Sequence, residues 1–163
     1  MEILKIDTSK TELAVSSFEI EKLAPAAKTA NALLHNKQGA GNDFLGWVNL
    51  PSLITADQIA DIKRVAKSLR DKAEVVVAIG IGGSYLGSKA VLEALSNSFP
   101  QLVKDKSNPT VVFAGQNISE DYTYELMEAR KDYSIAAIVI SKSSTTTGPA
   151  IAFLIIKAEI EKR

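Results

Sequence analysis

The chain has 163 residues, enough for one domain with a real hydrophobic core and too few for two of ordinary size. Apolar residues make up 46% and charged residues 23%, a balance that excludes a disordered or fibrous chain. With 19 Lys and Arg against 19 Asp and Glu there is no long-range field to gather DNA, RNA or anionic lipid, so any bound anion must be held locally.

Cysteine is absent and His35 is the one histidine, which excludes disulfides, thiolate nucleophiles and a histidine- or cysteine-built zinc centre; no metal or organic cofactor is expected. The start, MEILKIDTSKTELAV, lacks the basic opening and apolar core of a signal peptide, and no apolar run approaches a membrane span. The expectation is a cytoplasmic protein that binds neither membrane nor nucleic acid.

Along the chain, an alanine-rich helical pattern runs from about Ile20 to Asn36 and is broken by QGAGNDFLGWVNLPS, with its three glycines and a proline. His35 reads as an ordinary helix-end residue, and Phe44 and Trp47 as loop aromatics packed on the neighbouring helix. Thr55, with Gln58 three residues on, announces the next helix as a capping box, and Ile59, Ile62, Val65, Ala66 and Leu69 recur at helical spacing behind it. Residues 1–70 are thus a helical region, expected to pack on a sheet supplied by residues 71–163.

That sheet is announced by three short β-branched runs: Glu74 to Ile79, the NPTVVFAG segment, and SIAAIVIS. Helical stretches follow each: about Tyr85 to Ser96, SEDYTYELMEARK behind an N-cap at Ser119, and GPAIAFLIIKAEIEKR with Pro149 as its first helical residue. Glu120 and Asp121 suit the dipole at a helix start and need no catalytic role. Nearly unbroken apolar strands imply burial on both faces, hence an α/β fold: a three-layer parallel sheet with helices on both faces, ligands lying at the carboxyl ends of the strands.

Two loops fall at those ends. The first, AIGIGGSYLGSKA, has Tyr85 where a dinucleotide fingerprint needs its third glycine, and FAGQN after the second strand lacks the acid that grips a ribose. A P-loop is excluded because Ser88 precedes Lys89. What remains is a backbone that approaches a ligand closely, ahead of a helix N-terminus; the plain alternative is a tight turn with no ligand. The second loop, Ile140 to Ala150, carries six hydroxyls and Lys142, a composition suited to phosphate, and a short connection between a buried strand and a helix must be structured.

AIGIGGSYLGSKA together with VISKSSTTTGPAIAF resembles the N-terminal sugar-isomerase (SIS) subdomain of the glucose-6-phosphate isomerase family in its bacterial form, and GAGNDFLGW, Gly39 to Trp47, is similar to the segment ahead of it. The resemblance implies a flavodoxin-like strand order and a sugar phosphate, glucose 6-phosphate or fructose 6-phosphate, as the partner. Ser141, Lys142, Ser143 and Thr146 would hold the phosphate, and Gly83 and Ser84 would lie against the sugar. Three positions depart from the family pattern S-K-S-G-T-T-T-E-P and its surroundings: Ser144 replaces a glycine, Gly148 a glutamate, and Leu154 a common arginine. Ser144 is expected to keep a negative φ unless the loop relaxes around it.

The family enzyme is several times longer, and the residues that the resemblance assigns to proton transfer and ring opening have no counterpart here. The expectation is a truncated isomerase part that keeps the phosphate anchor without a catalytic residue, and that self-associates or needs its missing C-terminal portion. The rival is a non-catalytic SIS-type module that reads a phosphosugar.

Overall fold

The computed structural model describes residues 5–11, 13–103 and 107–162, and the chain divides into two compact units, Met1–Gln58 and Ile59–Arg163. In the first unit, helix α1 spans Ser17–His35 and opens three residues before the alanine pattern indicates. The cause is a capping box outside that pattern: Ser16 N–H donates to Glu19 Oε2 at 2.9 Å, and Glu19 N–H donates back to Ser16 Oγ at 3.3 Å. His35 is the last residue of α1, as expected. Beyond it the backbone turns left-handed at Lys37, Gly39 and Gly41, forms one 3₁₀ turn over Asn42–Phe44, and then a four-residue helix α2, Leu50–Leu53.

Phe44 and Trp47 do not pack as expected: they are 72% and 60% exposed. A single 3₁₀ turn and a one-turn helix supply no second wall of side chains to enclose a large ring.

Helix α3, Ala56–Lys72, carries the unit boundary in its first turn and starts with the expected box, Thr55 N–H donating to Gln58 Oε1 at 2.9 Å and Gln58 N–H to Thr55 Oγ1 at 3.2 Å. The second unit then alternates strand and helix: β1 Val75–Ile79, α4 Leu86–Leu95, β2 Thr110–Ala114, α5 Glu120–Ala129, β3 Ile135–Val139 and α6 Thr147–Glu161. The strands form a parallel sheet in the order β2-β1-β3, with Val75 level with Thr110 and Ile135, and Ile79 level with Ala114 and Val139. This is the flavodoxin-like order: the chain steps from β1 outward to β2, then crosses back over β1 to β3.

Opposite directions of travel with right-handed crossovers put α4 and α5 on opposite faces. Val75, Val77 and Ile79 share one face, where Ala114 and Ile156 of α6 join them and Leu126 and Met127 of α5 close over them. On the other face Tyr85, at the start of α4, sets its ring 5.7 Å from Phe113 of β2, and Val76 is buried as well.

Burial on both faces holds for β1 alone. Val111, Ile138 and Val139 are partly exposed, because β2 and β3 each pair on one side and are edges of a three-stranded sheet. Helix α6 also starts earlier than expected, so Pro149 is its third residue and not its first. This is tolerated because the first four N–H groups of a helix have no intrahelical acceptor, and the donor that proline lacks is one of them.

Candidate functional site

The strand order reverses between β1 and β3, and the crevice outside the carboxyl ends at that point is where open α/β sheets bind ligands. Both loops singled out in the sequence leave from there. Ile140 N–H donates to the Ile79 carbonyl at 2.9 Å, so they depart from the same level of neighbouring strands. Gly80 brings them together: a Cβ there would stand 3.1 Å from the Ser84 Cβ and carbonyl oxygen and 3.3 Å from the Ile140 carbonyl oxygen. A side chain at 80 would wedge the first loop from the second.

Gly83 and Ser84 lie in a 3₁₀ turn, Gly82–Ser84, entered through left-handed Gly82. Ser84 N–H donates to the Ile81 carbonyl and Tyr85 N–H to the Gly82 carbonyl, each at 3.1 Å. Lys89, the residue that fails the P-loop test, is occupied along its own helix: its ammonium donates to Glu93 one turn on, and that hydrogen bond raises its pKa above the usual lysine value.

Ser141, Lys142, Ser143 and Thr146 lie in the second loop, which ties itself together with its own hydroxyls. Ser144 N–H donates to Ser141 Oγ at 2.9 Å, and the Ser143 and Thr146 hydroxyls lie 3.1 Å apart. Thr146 is the N-cap of α6, a 15-residue helix, yet its side chain makes no capping bond to the first-turn N–H groups. Lys142 has no ion-pair partner among the described residues and is exposed. The second loop thus brings three hydroxyls and one exposed cation to the start of α6.

No family model matches the chain. It is 52% identical over 161 residues to the glucose-6-phosphate isomerase of Parabacteroides distasonis, an alignment that takes in 99% of this chain and 36% of that protein. It is 44% identical over 162 residues to the isomerase of that name from Clostridium novyi, covering 98% of this chain and 36% of the relative. Over 165 residues it is 46% identical to that of Acetivibrio thermocellus, covering all of this chain and 37% of the relative. The chain is homologous to part of a glucose-6-phosphate isomerase. It spans 36–37% of the length of these curated relatives.

Against the isomerase pattern, each of the three departures has a local structural setting. Ser144 does not keep a negative φ: it sits at +56°, in the left-handed region that favours glycine, so the serine carries the strain. Its hydroxyl turns back on the preceding carbonyl, Ser144 Oγ donating to Ser143 O at 2.6 Å. Gly148 allows a close approach that the sequence gives no hint of. A Cβ at 148 would stand 2.6 Å from the Gly115 carbonyl oxygen, and one at Gly115, whose φ is +85°, would stand 2.8 Å from Pro149 Cα. The start of α6 is therefore seated on the bend that follows β2, and the family glutamate would force the two apart. Leu154 is mostly exposed on α6 and stands where an arginine's charge would meet water.

In the sequence Gly115 marks only the segment that lacks a ribose-gripping acid, and its place directly after an apolar strand is the signal for its positive φ. Next to it, Gln116 Oε1 is buried with no donor among the described residues.

Proposed function

We propose that this chain is the phosphate-anchoring, N-terminal SIS part of a glucose-6-phosphate isomerase, an aldose-ketose isomerase that interconverts glucose 6-phosphate and fructose 6-phosphate. The observation that carries the reading is the meeting of the two loops at the β1–β3 switch point, with the uncapped start of α6 between Ser143 and Thr146 and the body of the helix. In this reading the phosphate displaces the Ser143–Thr146 contact and takes their hydroxyls, that of Ser141 and the Lys142 ammonium, while Gly83 and Ser84 border the sugar. The helix dipole and hydroxyls hold a dianion without burying it in an ion pair, which suits a handle that must be released with product.

Isomerisation moves a proton between C2 and C1 through an enediol, and a base must stand within hydrogen-bond reach of that carbon. None of the residues matched to the family's motifs in this chain is such a base, so the chain alone is expected to bind and not to turn over. In the same reading residues 71–163 form the binding subdomain and residues 1–70 its helical extension. The protein works in the cytoplasm, where sugar phosphates are made and consumed. Exposed apolar residues such as Leu95 and Val139 are covered by the rest of an isomerase or by a second copy, and light scattering separates the two: a dimer or larger species at micromolar concentration supports self-association.

The test is an NMR titration of the labelled chain with fructose 6-phosphate, with ATP and NAD as controls. Shifts confined to 82–84 and 141–147, seen with the sugar phosphate alone and weakened about tenfold in affinity by Ser143→Ala with Thr146→Ala, are expected. The reading fails if these residues stay still while the chain is folded, and its inactive half fails if a coupled assay finds turnover that Ser84→Ala removes.

A further inference from the structure

The bend after β2 carries none of the residues assigned to the sugar-phosphate anchor, yet its backbone lies against the roots of both anchor loops. Gly115 has φ +85°, and a Cβ there would stand 2.8 Å from Pro149 Cα, 3.2 Å from Pro149 N and 3.3 Å from Ile79 Cγ2. Ile79 is the last residue of β1, directly ahead of the first loop, and Pro149 is the third residue of α6, directly behind the second. From the helix side the fit is as close: a Cβ at Gly148 would stand 2.6 Å from the Gly115 carbonyl oxygen. Gly80 N–H, at the opening of the first loop, donates at 3.1 Å to the carbonyl of Ala114, the residue before Gly115.

This seat matters because side chains do little to fix the start of α6. Thr146 makes no capping bond, and Pro149 has no N–H to donate. Two buried residues hold the helix, Pro149 against the bend and Ile156 in the core two turns on. An added Cβ at 115 must retreat from Pro149 by about 0.6 Å to reach ordinary contact. A helix held at Ile156 and pushed at Pro149 tilts, and Thr146, beyond the push, moves about 1.4 times as far, or about 0.9 Å. Hydrogen-bond lengths span only about 0.5 Å, so the Thr146 hydroxyl leaves the reach of a ligand held by the rest of its loop. If the bend yields instead, it pulls on Ala114 and through it on Gly80, and the first loop moves.

We propose that Gly115 is a positioning residue for the sugar-phosphate anchor: through Pro149 and Ile79 it fixes where the second loop's hydroxyls stand relative to the first loop. It touches no ligand itself, and its role rests on the sugar-phosphate reading given above.

The test measures fructose 6-phosphate affinity on the ¹⁵N-labelled full chain, from the resonances of 141–147, in the parent and in Gly115→Ala, Gly148→Ala and Ile156→Val. The two glycine variants force the same seat from its two sides, and each should weaken binding about tenfold, the loss of one hydrogen bond. Ile156→Val loosens α6 in the core while leaving its first turn seated, and should bind as the parent does. Where a variant does not fold in buffer, all four chains are compared in trimethylamine N-oxide, which favours the folded state; should Gly115→Ala stay unfolded, Gly148→Ala decides alone. Affinity equal to the parent's in the glycine variants overturns the positioning role and leaves the anchor standing. A matching loss in Ile156→Val overturns it too, because the effect then follows stability and not the seat. No binding by the parent removes the anchor itself, and this role falls with it.

Discussion

The turn after β1 and the loop after β3 leave neighbouring strands at one level, yet the first is shaped by side chains it lacks and the second by side chains it has. Gly80 and Gly82 let the backbone close up and turn left-handed, whereas Ser141, Ser143 and Thr146 hold their loop through hydroxyls. The sharpest point of contrast is a single torsion. Gly82 has φ +55° and Ser144 φ +56°, so the two loops place a glycine and a serine in the same left-handed conformation. The second loop tolerates a strained residue because its own bonds to Ser141 and Ser143 offset the strain.

The largest effect is expected at the contact that seats the second loop's helix. Gly115→Ala puts a Cβ 2.8 Å from Pro149 Cα at a left-handed residue, and should destabilise by about 3 kcal/mol in urea unfolding. A loss under about 1 kcal/mol would mean that α6 moves freely and that the seat is soft. Gly80→Ala should follow at about 1–2 kcal/mol, since the Cβ meets atoms 3.1–3.3 Å away that belong to both loops. Next comes the paired test of the torsion. Gly82→Ala should destabilise by about 1 kcal/mol with nothing in its way, and Ser144→Gly should stabilise by a similar amount. If Ser144→Gly is neutral, the lost Ser144 Oγ bond to Ser143 matched the strain it accompanied.

The smallest effect is set by pH, in the helix that follows the second loop. Glu159 accepts from Lys162 at 2.8 Å and from Arg130, and these bonds lower its pKa below the usual glutamate value. A depressed acid contributes stability above its unfolded pKa and loses it as pH falls through its folded pKa. The melting temperature should therefore drop on acidification below the ordinary carboxylate range, by less in Glu159→Gln than in the parent; equal drops would remove Glu159 from the account.

Much of the fold was legible because its signals are local. Thr55 and Gln58 mark the start of α3 three residues apart, and β1, β2 and β3 are short β-branched runs between turn signals. The Ser16–Glu19 box is equally local but stands ahead of the alanine pattern, so α1 starts before Ile20. The position of the two candidate loops was legible too, since alternation of strand and helix fixes which loops share an edge. What escaped depends on partners distant in sequence. Exposure of Val111 and Val139 is a matter of strand order, which the β-branched runs do not encode. The approach of Gly148 to Gly115 joins positions in different loops, and the positive φ of Ser144 leaves no mark in a serine-rich string.

The seat of α6 on Gly115 also constrains the order in which sequences can change. With the Gly115 carbonyl oxygen 2.6 Å from where a Cβ at 148 would lie, no side chain enters at 148 until the bend after β2 has moved back. A lineage regaining the family glutamate must therefore accept the opening change first, and a glutamate tested alone in this background would look harmful even where its carboxylate is useful.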